Sequence, residues 1–168
     1  MNVTLGFVLA LMLAPSVPQQ NLSVPLKELR NAPATVVLDN KSLRLSTYPW
    51  RDFSPGSVGL DGTRMMVAVK VMTDDKQPMP SGIRIDRVWV LYGDQSWEVS
   101  DLRGRQVGHE LTKDPWRKCG TSPECEVSLQ GGPMWGPGVY VDIVVRLTDS
   151  KGKEYFLQAP NQYVHVTN

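Results

Sequence analysis

The sequence predicts an all-β protein, specifically an antiparallel, immunoglobulin-like β-sandwich of seven to nine short strands. Apolar side chains recur at every second position over much of the chain, as they do in strands that bury one face. Turns rich in glycine and proline separate these stretches, and no amphipathic run with a helical period reaches about ten residues. A closed barrel is the alternative architecture. The 168 residues correspond to about one domain with one core.

The predicted strands follow one another from residue 36 onward. Strands at 36–38 and 43–47 flank Asp39-Asn40-Lys41, which predicts a hairpin turn. The further predicted strands are 64–73, 83–92, 95–99, 139–147, 154–157 and 163–166. The strand at 139–147 shows the clearest alternation, with Val, Ile or Leu at every second position. Residues 101–122 lack this alternation and predict a long connection between strands.

The first sixteen residues have the pattern of a secretory signal peptide. An uncharged apolar run at 3–14 is too short to cross a bilayer, which takes about 20 apolar residues. Ala14 and Ser16 supply the small residues that precede a cleavage site, although no Lys or Arg precedes the apolar run. We therefore expect a signal peptide at 1–16, a flexible leader at 17–33 and a single β-sandwich domain at 34–168. The mature protein is then secreted or periplasmic, with no transmembrane segment after processing.

Cys119 and Cys125 are the two cysteines of the chain, with five residues between them. In the oxidising compartment that export implies, this spacing predicts a disulfide across a local turn. The alternative is a metal site that adds His109 and His165, but these histidines do not follow the ligand spacing of zinc sites. We expect neither a metal nor a cofactor.

Charge and motifs narrow the function classes. The formal net charge is +1, whereas a nucleic-acid-binding protein normally carries a basic surplus. The sequence contains no Gly-x-Ser-x-Gly elbow and no phosphate-binding Gly-x-x-x-x-Gly-Lys loop. His109-Glu110 begins like a zinc-protease helix, but Lys113 stands where the second metal ligand belongs. Catalysis through a carboxylate or His109 is left as the enzymatic alternative.

Two clusters of aromatic and turn-forming residues are the candidate binding sites, at 48–56 and 131–138. The predicted ligand-binding residues are Trp50, Arg51, Asp52 and Trp135, because Trp and Arg anchor partners and Trp can stack on a sugar ring. We expect segments 50–53 and 133–138 to pack together on turns at one end of the sandwich. A binding site requires exposed tryptophans and an Arg51 that points to solvent. The alternative is that both tryptophans cap the core and that Arg51-Asp52 ties the loop down, and we favour that outcome.

Several short motifs follow one another between residues 43 and 168. They are Trp-Arg-Asp-Phe at 50–53, Asp61-Gly62, Arg-Val-Trp-Val at 87–90, and Gly-Pro-Met-Trp-Gly-Pro-Gly at 132–138 before a valine-rich strand. In this order they resemble a group of small secreted bacterial β-rich proteins of unassigned function. The resemblance implies export and a β-rich domain, and it transfers no catalytic residue. Residues 119–125 are not part of it, so the disulfide prediction depends on the cysteines alone.

These observations favour a secreted, non-catalytic β-sandwich that binds another protein or a carbohydrate. A carbohydrate is favoured if Trp50 and Trp135 are exposed on one face. The alternatives are an extracytoplasmic hydrolase acting through a carboxylate or His109, and a structural component of the cell envelope.

Overall fold

The computed structural model of the protein describes residues 23–55, 59, 61–102 and 117–168. This part of the chain contains one short helix and ten strands, and the strands form two facing sheets. The elements are α1 (Leu26–Arg30), β1 (Thr35–Leu38), β2 (Lys41–Asp52), β3 (Met66–Thr73), β4 (Arg84–Tyr92), β5 (Gln95–Val99), β6 (Arg117–Lys118), β7 (Glu124–Leu129), β8 (Tyr140–Thr148), β9 (Glu154–Tyr163) and β10 (His165–Thr167). The prediction of an all-β sandwich is confirmed.

The two sheets contain five strands each. The first sheet has the order β1-β2-β3-β7, and β10 adds to β2 beyond the end of β1. The second has the order β5-β4-β8-β9, and β6 adds to β4. All pairings are antiparallel except that of β10 with β2, which is parallel. The chain therefore crosses from the second sheet to the first between β9 and β10.

The core lies between the sheets and follows from the period-two patterns. On β3, Val67, Val69 and Val71 are fully buried, and the residues between them are half-exposed. On β8, the predicted inward face is buried in the same way from Val141 to Leu147. Burying alternate apolar side chains on two facing sheets removes most of their apolar area from water, which is the main stabilising contribution to such a fold.

The hairpin predicted between the first two strands is present. Leu38 pairs with Lys41, and the two residues between them take positive φ angles of 48° at Asp39 and 61° at Asn40. Asp and Asn tolerate this left-handed conformation better than other non-glycine residues, so a two-residue turn connects the strands.

Residues 23–33 are the part of the predicted flexible leader that the structure describes, and they contain a packed helix. Helix α1 packs on the outer face of the second sheet, and its Leu29 is fully buried. The residues of the sheet that form this second, smaller cluster are Trp89, Leu91 and Val144. The Ser23 hydroxyl also donates a hydrogen bond of 2.9 Å to Glu98. Leu29, the partly buried Val24, Leu26 and Ala32, and the Ser23 hydrogen bond together hold a segment whose prolines and polar residues suggested mobility.

Strand β7 was not predicted, although its burial alternates along all six residues. Its inward positions are Cys125, Val127 and Leu129, and its outward positions are polar. The run is short, and one inward position is a cysteine, so its apolar pattern was weak in the sequence. Most of the predicted connection at 101–122 lies outside the described residues, but its end forms β6 on β4.

The predicted disulfide between Cys119 and Cys125 is present, with α-carbons 5.2 Å apart. Both cysteines are buried in the main core. Cys119 follows β6 and donates its backbone N–H to the Ile83 carbonyl beside β4, whereas Cys125 lies on β7. The bond therefore connects the second sheet to the first.

We expect Cys119→Ala/Cys125→Ala to lower the free energy of unfolding by about 2 kcal/mol. A disulfide that closes a loop of this length reduces the conformational entropy of the unfolded chain, and this raises its free energy by about that amount. Urea unfolding of the wild type with and without reductant provides a second reading of the same change. Equal free energies of unfolding for the oxidised, reduced and double-alanine proteins would contradict the expectation.

Candidate binding site

The first candidate cluster lies on a strand and not on a turn. Strand β2 continues through Pro49 to Asp52, and Pro49 pairs with Val67 of β3. The alternation of β2 therefore extends into the cluster. Pro49 and Arg51 face inward, whereas Tyr48 and Trp50 face outward on the first sheet. The proline suggested a strand end, but tertiary pairing continues the strand past it.

Arg51 is buried, with 4% of its surface exposed. Its Nε donates to the Thr63 carbonyl at 2.8 Å and its Nη1 to the Met134 carbonyl at 3.3 Å. Further hydrogen bonds go from Nη1 to the Gly136 carbonyl and from Nη2 to the Asp61 carbonyl. Arg51 therefore does not point to solvent, which the predicted binding role required. Its planar guanidinium is used to satisfy backbone carbonyls of two loops at once.

Those hydrogen bonds also confirm that segments 50–53 and 133–138 pack together. The backbone contributes to the same contact, because Gly132 N–H donates to the Met65 carbonyl at 3.0 Å. Farther along the loop, Gly138 N–H donates to the Val164 carbonyl, and Val164 N–H donates to the Val139 carbonyl. The Gly-Pro-Gly segment thus fixes Val164, the residue between β9 and β10.

Asp52 is half-buried, and its carboxylate binds the turn that directly follows it. Its carboxylate accepts hydrogen bonds from the Ser54 hydroxyl at 2.6 Å and the Ser54 N–H at 3.0 Å, and a longer one from the Thr167 hydroxyl. The Ser54 hydroxyl contributes most to a pKa of Asp52 below its ordinary value. The carboxylate therefore stays ionised, and all three of these hydrogen bonds go to its Oδ1.

Trp135 is half-buried and contacts the second sheet. Its ring centroid is 5.6 Å from that of Tyr92, and its Nε1 donates to Gln95 Oε1 at 2.7 Å. It also packs against the main core. Trp50, in contrast, contacts Tyr48 on the outer face of the first sheet. The two tryptophans therefore do not form the shared exposed face that favoured a carbohydrate in the sequence analysis.

Trp50 belongs instead to a series of aromatic rings that the sequence analysis did not identify. We call this series the aromatic row; its members, in order of contact, are Trp50, Tyr48, His165, Tyr163 and Tyr140. Successive centroids are 5.6, 4.6, 5.2 and 5.5 Å apart, and the rings of Tyr48 and His165 are stacked. The row begins on β2 and β10 of the first sheet and ends on β9 and β8 of the second.

The rings of the aromatic row are accessible to solvent. Tyr48 is 43% exposed, Tyr163 is 44% exposed and Tyr140 is 61% exposed, while Trp50 and His165 are half-buried. Outward positions of half-buried sheets are usually polar, so contiguous exposed aromatic area is unusual. The register explains the contacts, because His165 lies beside Trp50 and Tyr140 lies opposite Tyr163.

Beside Tyr48, the outer surface of the first sheet is formed by small, uncharged side chains. Across the first sheet, Ala68 lies beside Tyr48 and Ser128 beside Ala68, and both side chains are small. Lys70, the next outward residue of β3, forms ion pairs with Glu124 and Glu126 of β7. The ring of Tyr48 therefore rises above a neutral part of the sheet.

Other candidate residues of the sequence analysis have different outcomes. His109 lies outside the described residues. His165, a possible metal ligand in the sequence, stacks on Tyr48, and in the described part of the chain no three His, Cys, Asp or Glu side chains are grouped to hold a metal. No helix among residues 23–55, 61–102 and 117–168 is long and apolar enough to span a membrane.

Comparisons with known proteins add little to this geometry. No family model matches the chain, and no curated protein matches it. The crystal structure of a Bordetella pertussis protein provisionally named ApaA is similar, with 14% sequence identity and a TM-score of 0.39. The match covers 73% of this chain and 94% of that chain. At this score the likeness carries no argument about function.

Proposed function

We propose that the mature protein is a secreted, non-catalytic β-sandwich that binds another molecule through the aromatic row. The observation that carries the proposal is the uninterrupted contact of five aromatic rings, three of them at least 43% exposed. Tyr and Trp are enriched in binding surfaces because they supply a large contact area and lose little conformational entropy on binding. A binding partner would remove this apolar area from water.

The supporting structure makes the row rigid before binding. Tyr48 and Trp50 lie within β2, the longest strand of the described residues. Pairing of β10 with β2 fixes His165 beside them. Tyr163 is held because the Gly-Pro-Gly loop binds the backbone of the next residue, Val164. Rings that are already ordered pay less entropy on binding, so the arrangement favours recognition.

The proposed export is supported by the sequence of residues 1–16 and by the disulfide. Small exported domains commonly contain such bonds, whereas cytosolic proteins rarely retain them. We therefore place the partner outside the cytoplasm, on or near the cell envelope, and we expect the mature chain to start at Val17.

Binding to cell envelopes tests the proposed function. The labelled mature chain is mixed with envelopes of the cells that produce it, and bound protein is measured at equilibrium. Tyr48→Ala/Tyr163→Ala is expected to reduce the association constant by about 30-fold or more, because truncating a central aromatic anchor commonly costs at least about 2 kcal/mol.

The matched control is Val37→Ala, which truncates another exposed apolar side chain of the first sheet. Val37 pairs with Ser42, about 20 Å along β2 from Tyr48 at the usual rise per residue. We expect this variant to bind like the wild type. The proposal is overturned if the wild type does not bind, or if the tyrosine variant binds with wild-type affinity. The latter result would favour a structural envelope component held by another surface.

A further inference from the structure

We infer that the ligand of the aromatic row is an uncharged polysaccharide chain that lies along the row. The inference rests on the proposed binding function, and it adds the chemical class of the ligand. Three features of the surface carry it: the shape of the row, the absence of available charge in it, and the polar groups at the edges of its rings.

The shape of the row suits a linear ligand. Its rings follow one another in single contacts from Trp50 to Tyr140, around the side of the sandwich where the chain crosses from β9 to β10. Beside Tyr48 the outer face of the sheet carries the small side chains of Ala68 and Ser128. A globular protein partner typically covers a broad patch of about 800 Å² on each side. A surface one ring wide is better matched by an extended chain that contacts the rings one after another.

The charge of the row suits a neutral ligand. The five members include no Lys, Arg, Asp or Glu. The charged residues nearest in sequence are already used, because Arg51 is buried against carbonyls and Asp52 accepts hydrogen bonds from Ser54. Farther along the outer face, Arg44 pairs with Asp74 at 2.7 Å. The members of the row therefore offer an anionic polymer no Lys or Arg, and burying its charges without partners is costly.

The polar groups of the row suit a ligand rich in hydroxyl groups. Tyr48, Tyr163 and Tyr140 each carry a phenolic hydroxyl that can donate and accept a hydrogen bond, and the His165 ring adds two nitrogens. Each sugar ring has apolar C–H groups on its faces and hydroxyl groups around its edge. Aromatic faces next to phenolic hydroxyls therefore complement both parts of a pyranose, whereas a purely apolar ligand would leave the hydroxyls unused.

Affinity electrophoresis in native gels tests the ligand class. Gels contain one of three neutral polymers, hydroxyethylcellulose, galactomannan or dextran, or the acidic polymer carboxymethylcellulose. Hydroxyethylcellulose and carboxymethylcellulose share one backbone, so they differ chiefly in charge. We expect at least one neutral polymer to retard the wild type and Val37→Ala equally. Tyr48→Ala and Tyr163→Ala should each lower the association constant about 30-fold, whereas Tyr163→Phe keeps most of it.

The inference is overturned if no neutral polymer retards the protein, if only carboxymethylcellulose does, or if the alanine variants are retarded as strongly as the wild type. Envelope binding separates this failure from that of the proposed function. If envelope binding depends on Tyr48 and Tyr163 while no neutral polymer is bound, the row binds a ligand of another class, such as a protein. If envelope binding does not depend on these tyrosines either, both proposals fail.

Discussion

We expect Arg51→Met to lower the free energy of unfolding by about 3 to 5 kcal/mol, the largest effect of any single change considered for this protein. The guanidinium donates to the carbonyls of Asp61, Thr63, Met134 and Gly136. Without it these carbonyls lose the donor that a buried side chain supplies, and each group left buried and unsatisfied costs about 1 to 3 kcal/mol. Equilibrium urea unfolding followed by tryptophan fluorescence measures the loss.

Two further variants make this measurement specific. Arg44 is an exposed arginine of β2, the strand that also carries Arg51, and it pairs with Asp74. We expect Arg44→Met to lower the free energy of unfolding by less than about 1 kcal/mol. Arg51→Lys keeps the charge but lacks the planar set of donors, so we expect an intermediate loss. A free energy of unfolding for Arg51→Met within about 1 kcal/mol of the wild type would show that the hydrogen bonds do not stabilise the fold.

The second large effect is expected for Trp135→Ala, with a loss of about 3 kcal/mol. The side chain packs against Tyr92 and the main core, and its Nε1 donates to Gln95. Truncation of a buried aromatic residue typically costs about 3 to 5 kcal/mol, and the partial exposure of Trp135 places it at the lower end. Trp135→Phe keeps the ring contact and loses the hydrogen bond, so we expect about 1 kcal/mol. Equal stability of Trp135→Ala and the wild type would contradict this structural role.

The sequence predicted those parts of the fold in which local pattern and tertiary packing agree. The alternation of Val141, Ile143 and Val145 on β8 has the same period as its burial, and Asp39-Asn40 forms the turn that its residue types favour. Period-two burial is the direct consequence of a pleated strand with one face in the core. The sandwich class follows from such strands without knowledge of their order.

The sequence did not predict the elements in which tertiary contacts override local preference. Pro49 suggested a strand end, but pairing with β3 carries β2 on to Asp52. A binding role required Arg51 to point to solvent, but it is buried, and its burial depends on carbonyls that are at least ten residues away in the chain. Residues 26–30 already looked helical in the sequence, but the packing of α1 depends on Leu29 meeting Trp89, which local pattern does not show.

The aromatic row was missed because its members come from four strands. Only the register of β10 with β2 and of β8 with β9 brings Trp50, His165, Tyr163 and Tyr140 into one series. A signal was nevertheless present. Tyr48 and Trp50 are two positions apart in the sequence, as are Tyr163 and His165, and this is the spacing of residues on one face of a strand. The sequence analysis considered each of these aromatic residues alone and not as one of two neighbours on the outward face of a strand.

The most direct test compares Trp50→Ala with Trp135→Ala, measuring the melting temperature and the affinity for cell envelopes on the same preparations. We expect Trp50→Ala to melt within about 4 °C of the wild type and to bind about 30-fold more weakly, because Trp50 is a member of the aromatic row. Trp135→Ala should melt about 10 °C lower and bind normally at temperatures where it is folded. Wild-type affinity of a stably folded Trp50→Ala would contradict the assignment of the aromatic row as the binding surface.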